Sequence, residues 1–573
     1  MKKTLLISLF SFAAIAAGAQ TAQDAYTFSQ NTYYGTARSI GMGNAVTAVG
    51  GDLGTIGFNP AGSAVMGYSQ FTITPGISFG STSNSYSPYG DGKFSNENNS
   101  SISRFNIPNF GAVINFNLGN DRGLKSISYG VVMNSTNKFL NKIVGGGMND
   151  KSSYLGAMSV LAEGFNSGFL NGYLDANGSS IDDGDYPYYH GDDRGYYAPW
   201  TSIVNAQAGA ISNYGDSNDP AYVYRYIGAT EVFTPTDEHD KDGNRIYNVH
   251  IGGPLNQTYG RKVTGSKDDI VFNVGFNISD VFYFGANLGI TTIDYNYHEY
   301  FKEYAQNPSD FPIVLTDNNG NNYTINFDNY RARYSYSMDA TGVYGKFGFI
   351  ARPGGGLRLG AAIQTPTLFD VHEKWQNAAD VQYSDRGNDG SAYSPEGDFD
   401  YKLRSPFIFN AGLAYTFAGM AMISADYELT DYSLMKFKNN NNHEYDNDTF
   451  DAVNSSIKDL MGKSHTLRLG AEVKPAADIA IRAGYNYTTT PIGQYISDTG
   501  KETATSHHKL NAFSVGLGYS SPGSFFCDLA GRLTSYSNEY ISPYINYLSD
   551  ADSPLLKSSR DRWDVVLTLG WRF

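Results

Sequence analysis

The chain has 573 residues, 63 glycines, 45 tyrosines, one cysteine and a formal net charge of −15, with 17% charged and 14% aromatic residues. So aromatic a chain is not disordered, its acidic balance excludes a phosphate-tracking nucleic-acid binder, and one cysteine excludes an internal disulfide. A mean hydropathy of −0.36 with no long apolar run beyond the N-terminus excludes a helical membrane bundle and leaves a transmembrane β-barrel, whose lipid-facing residues alternate with polar lumen residues.

In chain order, Lys2 and Lys3 precede the apolar stretch Leu5–Ala17 and then the small residues Gly18 and Ala19. This predicts a secretory signal over residues 1–19, cleaved after Ala19, with no following cysteine to carry a lipid. Residues 20–67 show no clean period. They hold Gly41 and Gly43, which permit close packing, and the turn starter Asn59-Pro60-Ala61. Such a segment is either a periplasmic tail or a plug inside the barrel. A barrel of this size would otherwise leave an open lumen, so a plug is expected.

From 68 to 573 the chain reads as strands of period 2. Early runs centre on 68–80, 109–118, 125–136, 268–279, 281–293 and 341–351. Later ones include Leu357/Leu359/Ile363, Phe409/Leu413/Tyr415, Leu467/Leu469/Val473 and Ile479/Ile481/Tyr485. In the last, Val565, Leu567, Leu569, Trp571 and Phe573 share one face, and this aromatic ending, Trp571 and Phe573, has the form of an outer-membrane sorting signal. The count is fourteen strands. Connections near 82–105, 138–266, 297–335, 370–402, 436–463, 489–508 and 538–561 are long and polar, and those between them are tight turns. Short periplasmic turns facing long extracellular loops belong to this barrel class. Mid-strand glycines such as Gly412, Gly470, Gly484 and Gly516 fall on the polar face, where they are expected to keep lumen volume open.

The 138–266 loop places Leu155, Met158, Ala162, Phe165 and Phe169 at helical spacing, with Tyr186, Tyr188, Tyr189, Tyr196, Tyr197 and Trp200 further on. That face is either the loop's own core or an apolar collecting surface with Leu155, Met158, Phe165 and Phe169 as ligand contacts. Inward charges (Lys346, Arg358, Arg468, Arg482 and Arg532 against Asp426, Glu428, Glu472, Asp528 and Asp564) predict an ion-pair network in the wall. Within it, Arg468 and Arg482 are the candidates to receive a ligand head group. Pro108 opens the second strand and Gly130 lies in the third, and neither marks a kink. Asp182–Asp185 and Asp240–Asn244 lack the following glutamate of a calcium loop, though loop calcium stays open, and the histidines, His507 and His508 included, show no zinc spacing. Cys527 is in phase with lipid-facing Phe525 and Leu529. Nothing assembles a nucleophile, base and orienter, so neither an enzyme nor a resident metal or cofactor is expected.

Gly41-Met42-Gly43 followed by Asn59-Pro60-Ala61 resembles the N-terminal hatch of the FadL family of outer-membrane long-chain fatty-acid transporters, which includes aromatic-hydrocarbon channels. The resemblance continues through Ile107-Pro108-Asn109, Tyr283-Phe284-Gly285-Ala286, Leu357-Arg358-Leu359-Gly360, Ala425-Asp426-Tyr427 and Leu467-Arg468-Leu469-Gly470. It implies an all-β, fourteen-stranded antiparallel barrel over 68–573 with a hatch over 20–67, in the outer membrane of a Gram-negative bacterium. It further implies passive uptake of hydrophobic small molecules, gated by the hatch and released sideways beside an inward kink in the third strand. Some such barrels instead serve a protein-secretion system as a surface shuttle, which is the alternative. The partners implied are a hydrophobic ligand, outer-membrane lipid with lipopolysaccharide, and the barrel-assembly machinery. A monomer is expected, and no nucleic acid.

Overall fold

A computed structural model of the chain describes residues 21–172, 198–239, 241, 243, 245–317, 319–440, 447–492, 509–546 and 553–573, the side chains of 447–449 excepted. The expected signal, residues 1–19, lies outside the described residues. So do Tyr186, Tyr188, Tyr189, Tyr196, Tyr197, the Asp182–Asp185 stretch, Asp240, Asp242, Asn244, His507 and His508.

Fourteen antiparallel strands form a closed barrel. They are β1 (Gln70–Ser87), β2 (Ser95–Asn117), β3 (Leu124–Asn149), β4 (Leu255–Ile278), β5 (Phe282–Ala305) and β6 (Asn322–Gly354). Three are interrupted: β7 (Leu357–Gln364 and Leu368–Tyr383), β8 (Gly397–Arg404 and Ile408–Phe417) and β9 (Ala421–Asp431 and Lys436–Asn439). The rest are β10 (Lys463–Val473), β11 (Ile479–Thr488), β12 (Leu510–Ser520), β13 (Phe525–Tyr536) and β14 (Leu555–Arg572). The breaks in β7 and β8 fall at Pro366 and Pro406, which have no N–H to give the ladder. Strand β14 pairs back onto β1 from Gln70↔Arg572 to Ser87↔Leu555, so the sheet closes on itself.

The alternation read from the sequence decides which face meets lipid. On β14, Trp563 and Trp571 are 51% and 41% exposed, whereas Asp564 and Thr568 between them are wholly buried. At the lower rim Trp571 packs between Phe71 and Phe525, with ring centroids 6.1 and 5.5 Å away, and Phe573 projects outward.

The strands outrun the lipid-facing band. Residues 138–149 and 255–266, expected in a loop, are the upper ends of β3 and β4, paired up to Asn149↔Leu255. Strand β6 has 33 residues, and much of the expected 297–335 connection belongs to it and to β5. Above the membrane neither face of a strand meets lipid. The outward face there carries exposed residues such as Lys142 and Lys262 while inward residues such as Tyr259, Phe301 and Tyr330 are buried, so the lipid-facing pattern ends while the backbone ladder continues.

Helices α1 (Ala22–Ser29) and α2 (Ala37–Gly41), with 3-10 turns at Leu53–Gly57 and Pro60–Gly62, lie inside the barrel. Outside the wall, α3 (Tyr154–Ala162), α4 (Ser167–Leu170) and α5 (Trp200–Gln207) build a cap over the upper rim, and α6 (Asn447–Leu460) belongs to a second upper connection.

Candidate functional site

The segment from 21 to 67 is fixed by polar contacts to wall strands around the lumen. Its Asn59 side chain caps the turn at Pro60 by accepting from the Ala61 N–H (3.1 Å), and donates to the carbonyls of Thr47 (2.8 Å) and Phe349 (2.9 Å). Wall side chains satisfy the remaining carbonyls: Asn273 donates to Pro60, Asn287 to Ile56 (both 2.9 Å) and Arg358 to Val49 (2.8 Å). Asp426 accepts from the Thr47 N–H at 2.7 Å. Such bonds satisfy backbone groups of the segment where no sheet partner is present, which a buried irregular segment requires.

Wall glycines make this approach possible. A β-carbon on Gly285 would strike Pro60, on Gly348 Asn59, on Gly360 or Gly412 Thr47, on Gly470 Met42, and on Gly484 Gly43. These glycines leave room in the lumen, as the sequence had suggested, and the plug's backbone takes that room. Gly43 is the most constrained residue of the segment. Its φ is +63° and a side chain there would collide with the backbone of Tyr485 and Leu469.

Arg468 and Arg482 are buried. Arg468 pairs with Glu428 at 3.0 Å and lies over the rings of Tyr33 and Phe58. Arg482 bonds Glu472 (2.7 Å) and Asp528 (2.5 Å), and Glu472 also takes Arg38 of the plug at 3.1 Å. The two candidate head-group contacts thus belong to the wall network and to the plug's seat. Leu155, Met158 and Phe169 are likewise almost completely buried, in one apolar cluster with Tyr154, Phe301 and Tyr330, while Phe165 packs at its edge. They form the cap's own core and present no groove. In that cap Glu231 accepts from the Gly228 N–H at 2.9 Å, and burial pushes its carboxyl up to about 7. Among the described residues no group of three or more His, Cys, Asp or Glu could hold a metal ion.

The feature that the residues themselves did not mark, and only the family resemblance implied, is an opening in the wall. Strands β2 and β3 pair only from Asn117↔Ser126 to Asn109↔Asn134. Above that level β2 stays bonded to β1 as far as Tyr86↔Ser95, while β3 stays bonded to β4 with a register shift between Ser135 and Asn137. The upper half of β3 swings inward behind β1 and β14. There Thr82 donates to the Lys142 carbonyl (2.7 Å), Arg560 to that of Leu140 (3.1 Å) and Arg562 to that of Lys138 (3.3 Å). A slot of about 470 Å³ remains between Ser101–Arg104 of β2 and Leu140, Lys142, Lys262, Thr264 and Asp294.

A latch lies just below the slot. The Lys138 ammonium donates to Asn106 (2.7 Å) and Ser78 (3.2 Å), lies 3.7 Å from Asp564 and sits over the Tyr34 ring at 4.0 Å. The plug supplies the partners that the bulged strand lacks. The Thr32 and Tyr33 N–H groups donate to the Thr136 carbonyl (2.8 and 3.3 Å) and the Tyr34 N–H to that of Ser135 (2.8 Å). Tyr33 has a φ of 45°, unusual for a side-chain-bearing residue, and its carbonyl is held by Asn44 (3.0 Å) and Arg532 (3.1 Å). The sequence signals were Pro108, one residue above the upper end of the β2–β3 ladder, and the Ser- and Asn-rich run 95–106.

Above the plug, α1 inserts among wall aromatics. Tyr26 meets Tyr432 edge-on at 4.8 Å, Phe28 meets Tyr295 at 5.2 Å, and Lys267 donates to the Phe28 carbonyl at 2.9 Å. Asp24 forms a reciprocal cap with Thr21, and burial pushes its carboxyl up to about 6.

No protein-family model matches the chain, and no curated protein does. Among solved structures it is similar to a FadL homologue of Pseudomonas aeruginosa at 13% identity, covering 95% of this chain and 99% of that one, with a TM-score of 0.48. It is also similar to the toluene transporter TodX of P. putida (12% identity, 93% and 97% covered, TM-score 0.44). A third is the monoaromatic hydrocarbon channel CymD (11% identity, 93% and 96% covered, TM-score 0.40).

Proposed function

We propose that this barrel is an outer-membrane channel through which hydrophobic small molecules enter passively, with the plug as gate and the slot between β2 and β3 as the sideways exit. The observation that carries the reading is the interrupted ladder. In a lipid-facing wall an unpaired strand edge costs several kcal/mol per exposed backbone group, so such a break persists where the path it opens is used. An apolar solute leaving sideways passes from lumen to bilayer without crossing water. The residues in contact with the plug are the same ones that set the break: Thr32 to Tyr34 bond the bulge in β3, and Tyr34 underlies the Lys138 latch. A ligand that displaces α1 from its aromatic seat therefore pulls on the segment that holds the kink. The names of the similar structures, a toluene transporter and a monoaromatic hydrocarbon channel, agree with apolar cargo.

Mass spectrometry of compounds that copurify with the protein in mild detergent tests this. Fatty acids, sterols or aromatic hydrocarbons retained in stoichiometric amount are the expected result. An empty barrel that copurifies with protein-secretion components would overturn it in favour of a surface shuttle.

A further inference from the structure

Three cations converge on the slot without partners. Arg104 lies on the inner face of β2, and Lys142 and Lys262 face each other across the β3–β4 ladder. Among the described residues none of them has an ion pair or a hydrogen bond through its charged end. The one carboxylate in the slot, Asp294, accepts from Asn296 at 2.8 Å. The slot thus keeps two positive charges in excess, with Thr264 beside the two lysines. Just below, on the outer face of β2, Phe105 is 67% and Ile107 40% exposed, at the top of the lipid-facing band.

Apolar cargo in transit leaves these cations unpaired, because an apolar solute offers them no counter-charge. We infer that the slot is a binding site for the phosphomonoester head group of an outer-leaflet lipid, which enters from the membrane side with its acyl chains over Phe105 and Ile107. The charge supports a phosphomonoester over a carboxylate: its roughly −1.5 to −2 at neutral pH matches the slot's excess, and its three oxygens match three donors. The lipid's oxygens also satisfy the unpaired backbone edge of β2, which the bilayer core cannot. The inference rests on the reading of the slot as open to the membrane, and not on what passes through it.

The test is native mass spectrometry of the full chain in mild detergent, titrated with dioctanoyl phosphatidic acid, dioctanoylglycerol, octanoate and inorganic phosphate. Phosphatidic acid is expected to bind as a single adduct. The variant carrying R104Q, K142Q and K262Q, whose changes are exposed and leave the barrel's heat-modifiable gel migration intact, should bind it at least roughly tenfold more weakly. Equal binding by this variant, or equally tight dioctanoylglycerol, overturns the assignment. Tighter octanoate would assign the cations to transported cargo, and full competition by equimolar phosphate to a free anion; either result also overturns it. Cargo uptake by the wild type separates the two readings. A phosphatidic acid adduct that the variant loses, in a wild type that takes up no cargo, overturns the transport reading alone, and uptake by a wild type that binds no phosphatidic acid overturns the lipid site alone.

Discussion

Gly43 and Asp24 show how closely the plug is fitted at the level of single residues. Replacing Gly43 by alanine adds a β-carbon against the Tyr485 and Leu469 backbone at a positive φ. The conformational cost alone is about 1 kcal/mol, and the collision adds to it. Gly43→Ala should leave the barrel folded, shown by unchanged heat-modifiable migration, while planar-bilayer recordings show conducting bursts absent from the wild type. Asp24 gives the plug a pH dependence whose sign follows from its burial. The seated carboxyl titrates near 6 and the released one near its ordinary 3.8, so the seated state holds a proton that the released state gives up. Seating is strongest below about pH 4, weakens as pH rises through about 6, and is flat above. The opening frequency of the wild type should rise across that window, and Asp24→Asn should abolish the rise. Lys138 holds the latch from the wall side. Lys138→Met keeps the stem over Tyr34 but loses the bonds to Asn106 and Ser78, and should speed equilibration of an apolar fluorescent probe between lumen and bilayer several-fold, measured by stopped-flow quenching.

At the scale of elements, the bulge at Ser135–Asn137 turns β3 inward, and the plug's bonds to Thr136 and Ser135 fix it there. Deleting Thr136 removes the extra residue and should return β3 to the β2 ladder. Backbone amides from Ser101 to Ile107 should then become protected from hydrogen exchange, whereas Thr136→Ala, which keeps the carbonyl, should leave them unprotected. Sequence periodicity reported the part of each strand that faces lipid, because only there do the two faces meet different solvents. Val565, Leu567, Leu569 and Trp571 were legible for that reason. The upper halves of β3 to β6 were not, since their outward faces meet water instead of lipid while inward residues such as Tyr259, Phe301 and Tyr330 are buried, and the residues did not mark the β2–β3 break because a bulge depends on register, which one strand's pattern does not carry. The ion pairs of Arg482 with Glu472 and Asp528 were foreseen as an inward network from charges in phase. The candidate contacts Leu155, Met158 and Phe169 showed the opposite limit. An apolar helical face looks alike whether it meets a ligand or its own core, and here it meets Tyr154, Phe301 and Tyr330.

Across the whole molecule, wall, plug and cap divide the work. The wall supplies a closed hydrogen-bond ladder that opens between the upper halves of β2 and β3. The plug fills the lumen beside glycines that make room for its backbone and reaches the interruption through Thr32 to Tyr34. The cap packs a separate apolar core over the upper rim. The length of the chain follows from this arrangement, since strands of up to 33 residues raise the barrel well above the membrane to meet the cap. Sideways release at the β2–β3 slot is tested most directly by uptake of a radiolabelled long-chain fatty acid or toluene by cells in which this protein is the sole route. The wild type and Thr136→Ala should accumulate it, and the Thr136 deletion, present at the same surface level, should fall to background. Undiminished uptake by the deletion variant, with β2 and β3 shown to be paired along their full length, would contradict it.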